Sequence, residues 1–366
     1  MTDNRTLLFY INSIHEGGAQ RVMLQLAGRF AAAGWRVLLV TSFVDAWEYP
    51  VPPGVERLSL EKEQAAQSAL KRNLSRIRSL RVLLREYRPA ALISFMGEPN
   101  FRAVLAARGL PVKTVVSVRN DPDKEYAGRV FRFVGKHILP LADGCVFQTE
   151  QAKAWFPEAL QRKSAVIMNQ VSAAFYDRPK TQERSEIAAV GRLSAQKNHT
   201  LLIRAFSRLP DAGERLVIYG EGELRPELEA LVEKLGLSGR VLLPGQCDDV
   251  PQVLGGAKLF VLPSDYEGMP NALLEAMALG LPCIATDCPC GGPASVIRSG
   301  ENGLLVPVGD EDALGRAMAE LLSDEDERRR LAENAKQTAE GFRPEAVFRQ
   351  WEAYIRSVID GKENEA

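Results

Sequence analysis

The sequence predicts an α/β protein made of two doubly wound parallel sheets in series. Three observations carry that prediction. Short, β-rich apolar runs alternate with longer stretches of helical period. The runs are apolar at consecutive positions, as strands covered by helices on both faces must be. The alternation stops near residue 171 and restarts near residue 187, which divides 366 residues into two series of ordinary domain size.

The first series places strands at 7–11, 37–41, 90–95, 114–118 and 145–148, with helices over 19–33, 65–87, 100–108 and 129–141. The second places strands at 187–190, 216–219, 241–243, 259–262, 282–286 and 304–306. Its helices cover 201–208, 226–235, 272–279, 311–322 and 326–340. Between the series, 172–185 reads SAAFYDRPKTQERS: polar, with a Pro and no period, as a linker should be. A last helix over 344–359 opens with Pro344, a residue suited to a first turn. Phe348, Trp351 and Tyr354 recur along it at helical spacing, so it needs a surface to pack on. The expected domains are therefore 1–171, 172–343 and a terminal helical segment, 344–366.

Composition narrows the function. Hydrophobic residues make up 46% and charged residues 25%, which excludes a wholly disordered or fibrous chain. No apolar run approaches the ~18 residues of a membrane-spanning helix, and residues 1–14 do not read as a secretory leader. Five cysteines, an odd number in a long chain, do not suggest a disulfide framework. A cytoplasmic protein is expected. The net charge of −1 hides an asymmetry. Residues 1–170 hold 24 Lys and Arg against 15 Asp and Glu; residues 171–366 hold 22 against 32. One half thus faces something anionic, yet no nucleic-acid-binding module is present and nucleic acid is not an expected partner.

Three motifs could carry chemistry. His15-Glu16-Gly17-Gly18-Ala19-Gln20-Arg21 follows the first strand and opens a helix. Paired glycines admit close backbone approach, and a helix N-terminus offers N–H groups to an anion. The spacing is not that of the dinucleotide fingerprint, and a ligand-free tight turn would look the same. Gly191-Arg192-Leu193-Ser194-Ala195-Gln196-Lys197-Asn198-His199 follows the first strand of the second series. An Arg fork and a mobile Lys at a strand's carboxyl end can grip a diphosphate; two solvated cations are the plainer reading. In Asp265-Tyr266-Glu267-Gly268-Met269-Pro270-Asn271-Ala272-Leu273-Leu274-Glu275, two carboxylates bracket a Gly-x-Pro loop and a helix start. A carboxylate accepts from two neighbouring hydroxyls, which suits a sugar or a ribose diol. The N–H groups of Asn271 to Leu273 point to a phosphate.

Glu267-x7-Glu275 within EGMPNALLEAMALGLPCIATD closely resembles the signature of retaining glycosyltransferase family 4. GRLSAQKNH and EGGAQR resemble that family's other donor-site motifs, in the family's order and across nearly the whole chain. The resemblance implies the GT-B architecture: two Rossmann-like domains, an interdomain cleft and a C-terminal helix that crosses back to the first domain. It implies that Arg192 and Lys197 neutralise the diphosphate of a nucleotide sugar while the amides of Gly17 and Gly18 approach its phosphates. Glu267, with the backbone of Gly268, Met269, Pro270 and Asn271 and the helix start at Ala272 and Leu273, would hold the donor sugar, and Glu275 the ribose. Gly220-Glu221-Gly222-Glu223 resembles a loop near the nucleotide.

The activity implied is transfer, with retention, of a sugar from a nucleoside diphosphate donor, UDP-linked, to a lipid-linked or growing glycan in bacterial cell-surface polysaccharide synthesis. A nucleotide-sugar epimerase or a phosphorylase of the same architecture is the alternative. Fixed cations at the leaving diphosphate lower the barrier, so neither a metal nor another cofactor is expected.

Relatives carry a histidine where this chain has Arg119, in Ser117-Val118-Arg119-Asn120-Asp121-Pro122. Arg119 could meet the donor sugar, the phosphates or an anionic acceptor, or pair with Asp121. Asp121-Pro122-Asp123 spells a metal-binding D-x-D but also suits a turn. Cys288 and Cys290 lack the further ligands of a zinc site.

The basic half contains one helix with Lys71, Arg72, Arg76, Arg78, Arg81, Arg85 and Arg88, and an apolar stripe of Leu70, Leu74, Ile77, Leu80, Leu84 and Tyr87. Arg129, Arg132 and Lys136 add cations beside Phe131 and Phe133. Peripheral attachment to an anionic membrane surface is expected from them; a core stripe with solvated cations is the alternative.

Overall fold

The computed structural model describes residues 5–15, 17–61, 68–177, 186–247 and 249–361. Glu16, the 65–67 start of a predicted helix and 178–185 of the linker lie outside them. The chain divides into two units, Met1–Asn169 with Val347–Ala366, and Gln170–Ala346.

Unit 1 holds seven parallel strands: β1 (Thr6–Ile11), β2 (Arg36–Thr41), β3 (Val55–Ser59), β4 (Ala91–Phe95), β5 (Lys113–Ser117), β6 (Gly144–Phe147) and β7 (Ser164–Val166), in the order β3-β2-β1-β4-β5-β6-β7. The pleat divides β1 between two cores. Leu7, Phe9 and Ile11 meet Met23 and Phe30 of the helix Gly18–Ala32, together with Trp351, Tyr354 and Ile355. Leu8 and Tyr10 face the other way, toward Leu80 and Leu84 of the helix Ala69–Tyr87 and Ala103 and Ala106 of the helix Gly97–Ala107. The terminal helix Pro344–Asp360 thus completes the unit 1 core from Val347 onward. The Tyr354 hydroxyl accepts from Cys145 N–H at 2.7 Å and donates to Lys163 O at 2.6 Å, which ties that helix to β6.

Unit 2 holds β8 (Glu186–Val190), β9 (Arg215–Tyr219), β10 (Val241–Gly245), β11 (Leu259–Leu262), β12 (Cys283–Thr286) and β13 (Leu304–Val306), all parallel, in the order β10-β9-β8-β11-β12-β13. Phe206, Leu228, Met318 and Leu331, from four helices, pack with its inward side chains. Each sheet reverses its winding between two neighbours, β1 and β4 in unit 1, β8 and β11 in unit 2. Open α/β sheets bind ligands at the carboxyl ends of such strands.

The structure corrects the sequence reading in several places. β3 and β7 were not predicted: the edge strand β3, VERLS, has no apolar run, and the edge strand β7 is only 3 residues long. The helix expected over 129–141 breaks into Arg129–Phe133, a π turn at Val134–Ile138 and a 3-10 turn at Leu139–Leu141. Gly135 packs there against the Trp155 ring, and Pro140 has no N–H to continue the ladder. The boundaries fall at 169/170 and 346/347 rather than at 171/172 and 343/344. Phe175 and Tyr176, assigned to the linker, are buried in unit 2, where the Tyr176 hydroxyl donates to Ala339 O at 2.7 Å.

Candidate active site

In unit 2, the loop after β8 carries Arg192 and Lys197. Its Leu193 exchanges hydrogen bonds with the loop after β9, donating to Glu221 O and accepting from Leu224 N–H. The two loops touch through backbone: a Cβ on Gly220 would lie 2.0 Å from Gly191 O, and one on Gly222 2.3 Å from Leu193 O. The 220–223 motif therefore supports the cation loop from behind. Glu221 is itself engaged in a two-bond pair with Arg225, at 2.7 and 2.8 Å. Asn198, in the left-handed region at φ 43°, caps the helix His199–Ser207 through its side chain and also donates to Asp265 at 2.7 Å.

The loop after β11 carries Glu267, and the structure brings Glu267 and Lys197 together. Lys197 Nζ lies 2.5 Å from Glu267 Oε1, which also accepts from Ser264 Oγ at 2.7 Å. Oε2 has no hydrogen-bond partner among the described residues. Only 6% of Glu267 is exposed, so the pair sits in a low-dielectric setting. Ser264 is fixed in turn, its carbonyl accepting from Thr286 Oγ1 at 2.5 Å. Gln196 donates to Tyr266 O at 2.9 Å and its carbonyl accepts from Asp265 N–H, which ties the two loops together. A Cβ on Gly292 would lie 1.9 Å from Gly268 O, so the loop after β12 buttresses the Glu267 loop through bare backbone. The Arg192 side chain, in contrast, is exposed and forms no hydrogen bond or ion pair among the described residues.

The helix Asn271–Ala278 begins at Pro270, which has no side-chain bond to give its N-terminus. Leu273 N–H already donates to Pro270 O at 3.1 Å, which removes it from the groups offered to a phosphate. Glu275 lies one turn into this helix and is buried, as are Met269 and Leu273, while Ala272 is partly open. His199 is buried behind the cation loop, and burial, with the nearby Lys197 charge, pushes its imidazole down to about 4. It is neutral across the physiological range.

In unit 1, Gly17 is the extended cap residue of the helix Gly18–Ala32, whose first turn carries no acidic side chain. Arg119 follows β5 and is 9% exposed. Its guanidinium stacks 4.5 Å over the Phe95 ring and donates to Asn169 Oδ1 at 2.5 Å and to Ser117 Oγ at 3.4 Å. The pairing with Asp121 is not what the structure shows. Asp121 caps the short helix Pro122–Glu125 by accepting from Asp123 N–H, and Asp123 accepts from Arg132 and Trp155. Among the described residues no group of three His, Cys, Asp or Glu is arranged to hold a metal ion. Cys288 and Cys290 are buried and neither is in a disulfide; burial, with the Glu267 charge, pushes Cys288 up to about 12.

Ser264, Gly292 and His199 are residues that the motifs did not single out as working parts. The Gly291-Gly292 pair was the one visible signal.

Two family descriptions match the chain: Glycosyl transferase 4-like domain over residues 17–168 and Glycosyl transferases group 1 over 173–338. The N-acetylgalactosamine-N,N'-diacetylbacillosaminyl-diphospho-undecaprenol 4-alpha-N-acetylgalactosaminyltransferase of Campylobacter jejuni is 35% identical over 277 residues, 71% of this chain and 74% of that one. The chain is a family 4 glycosyltransferase. An exopolysaccharide phosphotransferase of Streptomyces coelicolor is also 35% identical, over 62% of the glycosyltransferase but only 24% of its own length. Among solved structures, Anabaena HepE in complex with UDP and glucose shares the fold with a TM-score of 0.83 at 19% identity, covering 96% of this glycosyltransferase and 99% of HepE. The two sheets are the paired Rossmann-like domains of the GT-B architecture, and the glycosyltransferase belongs with enzymes of bacterial polysaccharide and glycolipid synthesis.

Proposed function

We propose that this glycosyltransferase moves a sugar from a UDP-linked donor to a lipid-linked or growing glycan, with retention of anomeric configuration. The observation that carries the reading is the part-buried Lys197–Glu267 pair at the carboxyl ends of β8 and β11, where the unit 2 sheet reverses its winding. An incoming diphosphate competes with Glu267 for Lys197, and the freed carboxylate accepts hydroxyls of the donor sugar. Arg192, exposed and unpaired, supplies the fork for the phosphates. Glu275 takes the ribose diol, and in unit 1 the helix N-terminus at Gly17 and Gly18 favours negative charge.

Each turnover breaks the bond between the anomeric carbon and the phosphate oxygen and forms one to the acceptor oxygen on the same face. The acceptor proton passes to the departing diphosphate. The fixed cations stabilise that leaving group, so the step requires neither a metal nor a side-chain nucleophile. The relative's lipid-diphosphate acceptor, stated in its name, supports a lipid-linked substrate here.

The deciding experiment is a titration of purified protein with UDP-, GDP- and ADP-sugars, with and without a chelator. Tight binding of a UDP-sugar that survives chelation is the expected result. Binding abolished by chelation, or restricted to another nucleotide, overturns the assignment.

A second observation bears on attachment. The helix Ala69–Tyr87 exposes Leu70, Leu74 and Val82, at 81%, 46% and 58%, among the exposed cations Lys71, Arg78 and Arg85. The apolar stripe read from the sequence is therefore split: Leu80 and Leu84 are core, Leu70 and Leu74 are not. Arg76 leaves the basic set, because it is buried in a two-bond pair with Glu61 at 2.9 and 3.0 Å. Cations interleaved with exposed apolar side chains fit an anionic lipid surface. Among the described residues no helix is long and apolar enough to cross a membrane.

A further inference from the structure

In both sheets, the strand across the switch from the first one delivers a carboxylate. In unit 2 it is Glu267, after β11; in unit 1 it is Glu98, after β4, and the two are held alike. Glu98 Oε2 accepts from Arg102 Nη2 at 2.5 Å and from Asn12 Nδ2 at 3.5 Å, while Oε1 has no partner among the described residues. The Glu98 side chain is 46% exposed and that of Arg102 only 1%. The guanidinium is fixed in turn: Nε donates to Asn73 Oδ1 at 2.7 Å, and Nη1 to Asn12 Oδ1 at 2.6 Å and Ser42 Oγ at 3.4 Å. Ser42 Oγ also donates to Asn12 Oδ1 at 3.1 Å and lies 2.8 Å from the Tyr10 hydroxyl. The turn before Glu98 is strained. Met96 stands at φ 77° and ψ 155°, a region that glycine alone adopts freely. Three bonds pin it there: Met96 N–H donates to Ser117 O at 3.2 Å, Met96 O accepts from Asn100 N–H at 2.9 Å, and Gly97 N–H donates to Glu125 Oε1 at 2.5 Å. Such strain persists where its surroundings over-determine it, and it clusters at ligand sites. An ordinary ion pair four residues apart forms on any helix surface. It needs neither a buried guanidinium nor this turn.

Three side chains of this cluster keep bonding capacity among the described residues. Glu98 Oε1 can accept, and the partly exposed amides of Asn12 and Asn73 each have an N–H left to donate. The Arg102 charge is already balanced by Glu98. An ammonium offers donors only and leaves both amides unmet. A phosphate or carboxylate offers acceptors only and meets the Glu98 charge. Sugar hydroxyls donate and accept at once, and so match the set. We propose that Glu98, with Asn12 and Asn73, binds hydroxyls of the acceptor sugar, and that Arg102 is the positioning residue behind it. Two features favour the acceptor over the donor. The donor sugar already has Glu267, and Asn73 belongs to the helix Ala69–Tyr87, the element offered above to an anionic lipid surface. One helix then serves both the lipid and the sugar attached to it. The subsite rests on the transferase reading given above.

Two variants of nearly unchanged volume test this. Glu98→Gln keeps an oxygen for Arg102 Nη2 and turns the outward acceptor into a donor. Asn73→Asp keeps the oxygen for Arg102 Nε and turns the outward donor into an acceptor. Calorimetric titrations use UDP-glucose, UDP-galactose and their N-acetylamino counterparts, and the octyl glycosides of the same four sugars in the presence of UDP. The wild-type protein should bind at least one octyl glycoside. That affinity should fall at least tenfold in each variant, while affinity for the preferred UDP-sugar stays within twofold and the ligand-free melting temperature within a few degrees. A purely structural ion pair would lower the melting temperature and leave glycoside affinity unchanged. Should Glu98→Gln fail to fold, Asn73→Asp, which removes no charge, decides alone. Glycoside affinity within twofold of wild type in either folded variant overturns the subsite, as does a wild-type protein that binds a UDP-sugar but no glycoside. A tenfold loss of UDP-sugar affinity overturns the assignment to the acceptor. A wild-type protein that binds none of the UDP-sugars overturns the transferase reading itself, a separate result.

Discussion

At the scale of single residues, the pairing of Lys197 with Glu267 sets the resting state of the proposed donor site. Removing one partner of a part-buried pair leaves the other uncompensated, so Lys197→Met should cost about 1–3 kcal/mol in urea unfolding. The same variant should bind a nucleotide sugar at least tenfold more weakly. Two buried groups give opposite pH signatures. Burial pushes Glu125 up to about 7, against the backbone N–H groups and the Arg119 charge that favour ionisation; Tyr126 and Cys145 also face it. Between about 4.3, the free value, and 7 the folded state holds more protons than the unfolded chain, so this carboxyl lowers stability as pH rises through that window. His199, pushed down to about 4, stays neutral while the unfolded chain protonates below about 6.5, so its contribution falls as pH falls. Unfolding at pH 5 to 8 should show Glu125→Gln losing the first slope and His199→Asn the second. Lys197 and Glu267 were legible in the sequence from their spacing after strands. Their mutual bond was not, because 70 residues separate them and only the adjacency of β8 and β11 brings them together. Glu125 carried no signal, because a lone acid in a turn looks like any solvated one.

At the scale of elements, the loops of the proposed donor site are set by backbone contact as well as by side-chain bonds. Gly292→Ala places a methyl 1.9 Å from the Gly268 carbonyl, which must move and carry Glu267 with it. Nucleotide-sugar affinity should drop tenfold or more, with the melting temperature lowered by several degrees; unchanged affinity would mean that the Glu267 loop does not depend on this support. The helix Ala69–Tyr87 offers a separate test. Leu74→Glu with Val82→Glu should abolish co-sedimentation with vesicles containing anionic lipid while leaving the melting temperature within a few degrees, because neither side chain is core. Periodicity located this helix but gave it a single apolar face. Leu70, Leu74, Leu80 and Leu84 look alike in sequence, and the sheet with the neighbouring helix Gly97–Ala107 determines which of them are covered.

At the scale of the whole molecule, the two series of strands were legible because covered parallel strands write themselves as apolar runs. β3 and β7 were not, because one has no apolar run and the other is too short to show one. The aromatic spacing of Phe348, Trp351 and Tyr354 announced a packing face, and its partner is the sheet of unit 1. Trp351→Ala should therefore cost about 3–5 kcal/mol in that unit, as large-to-small core changes do. A chain ended after residue 343 should leave unit 1 with the larger loss, read as early protease cleavage within 5–169.

Because Val347–Ala366 belongs with Met1–Asn169, unit 1 cannot close its core until the whole of unit 2 has been translated. Unit 2 is contiguous and can finish on the ribosome while its predecessor still waits for Trp351 and Ile355. The usual order of assembly, earliest domain first, is thereby inverted. Half-made chains then expose the apolar surface of β1 and Phe30 that Trp351, Tyr354 and Ile355 later cover.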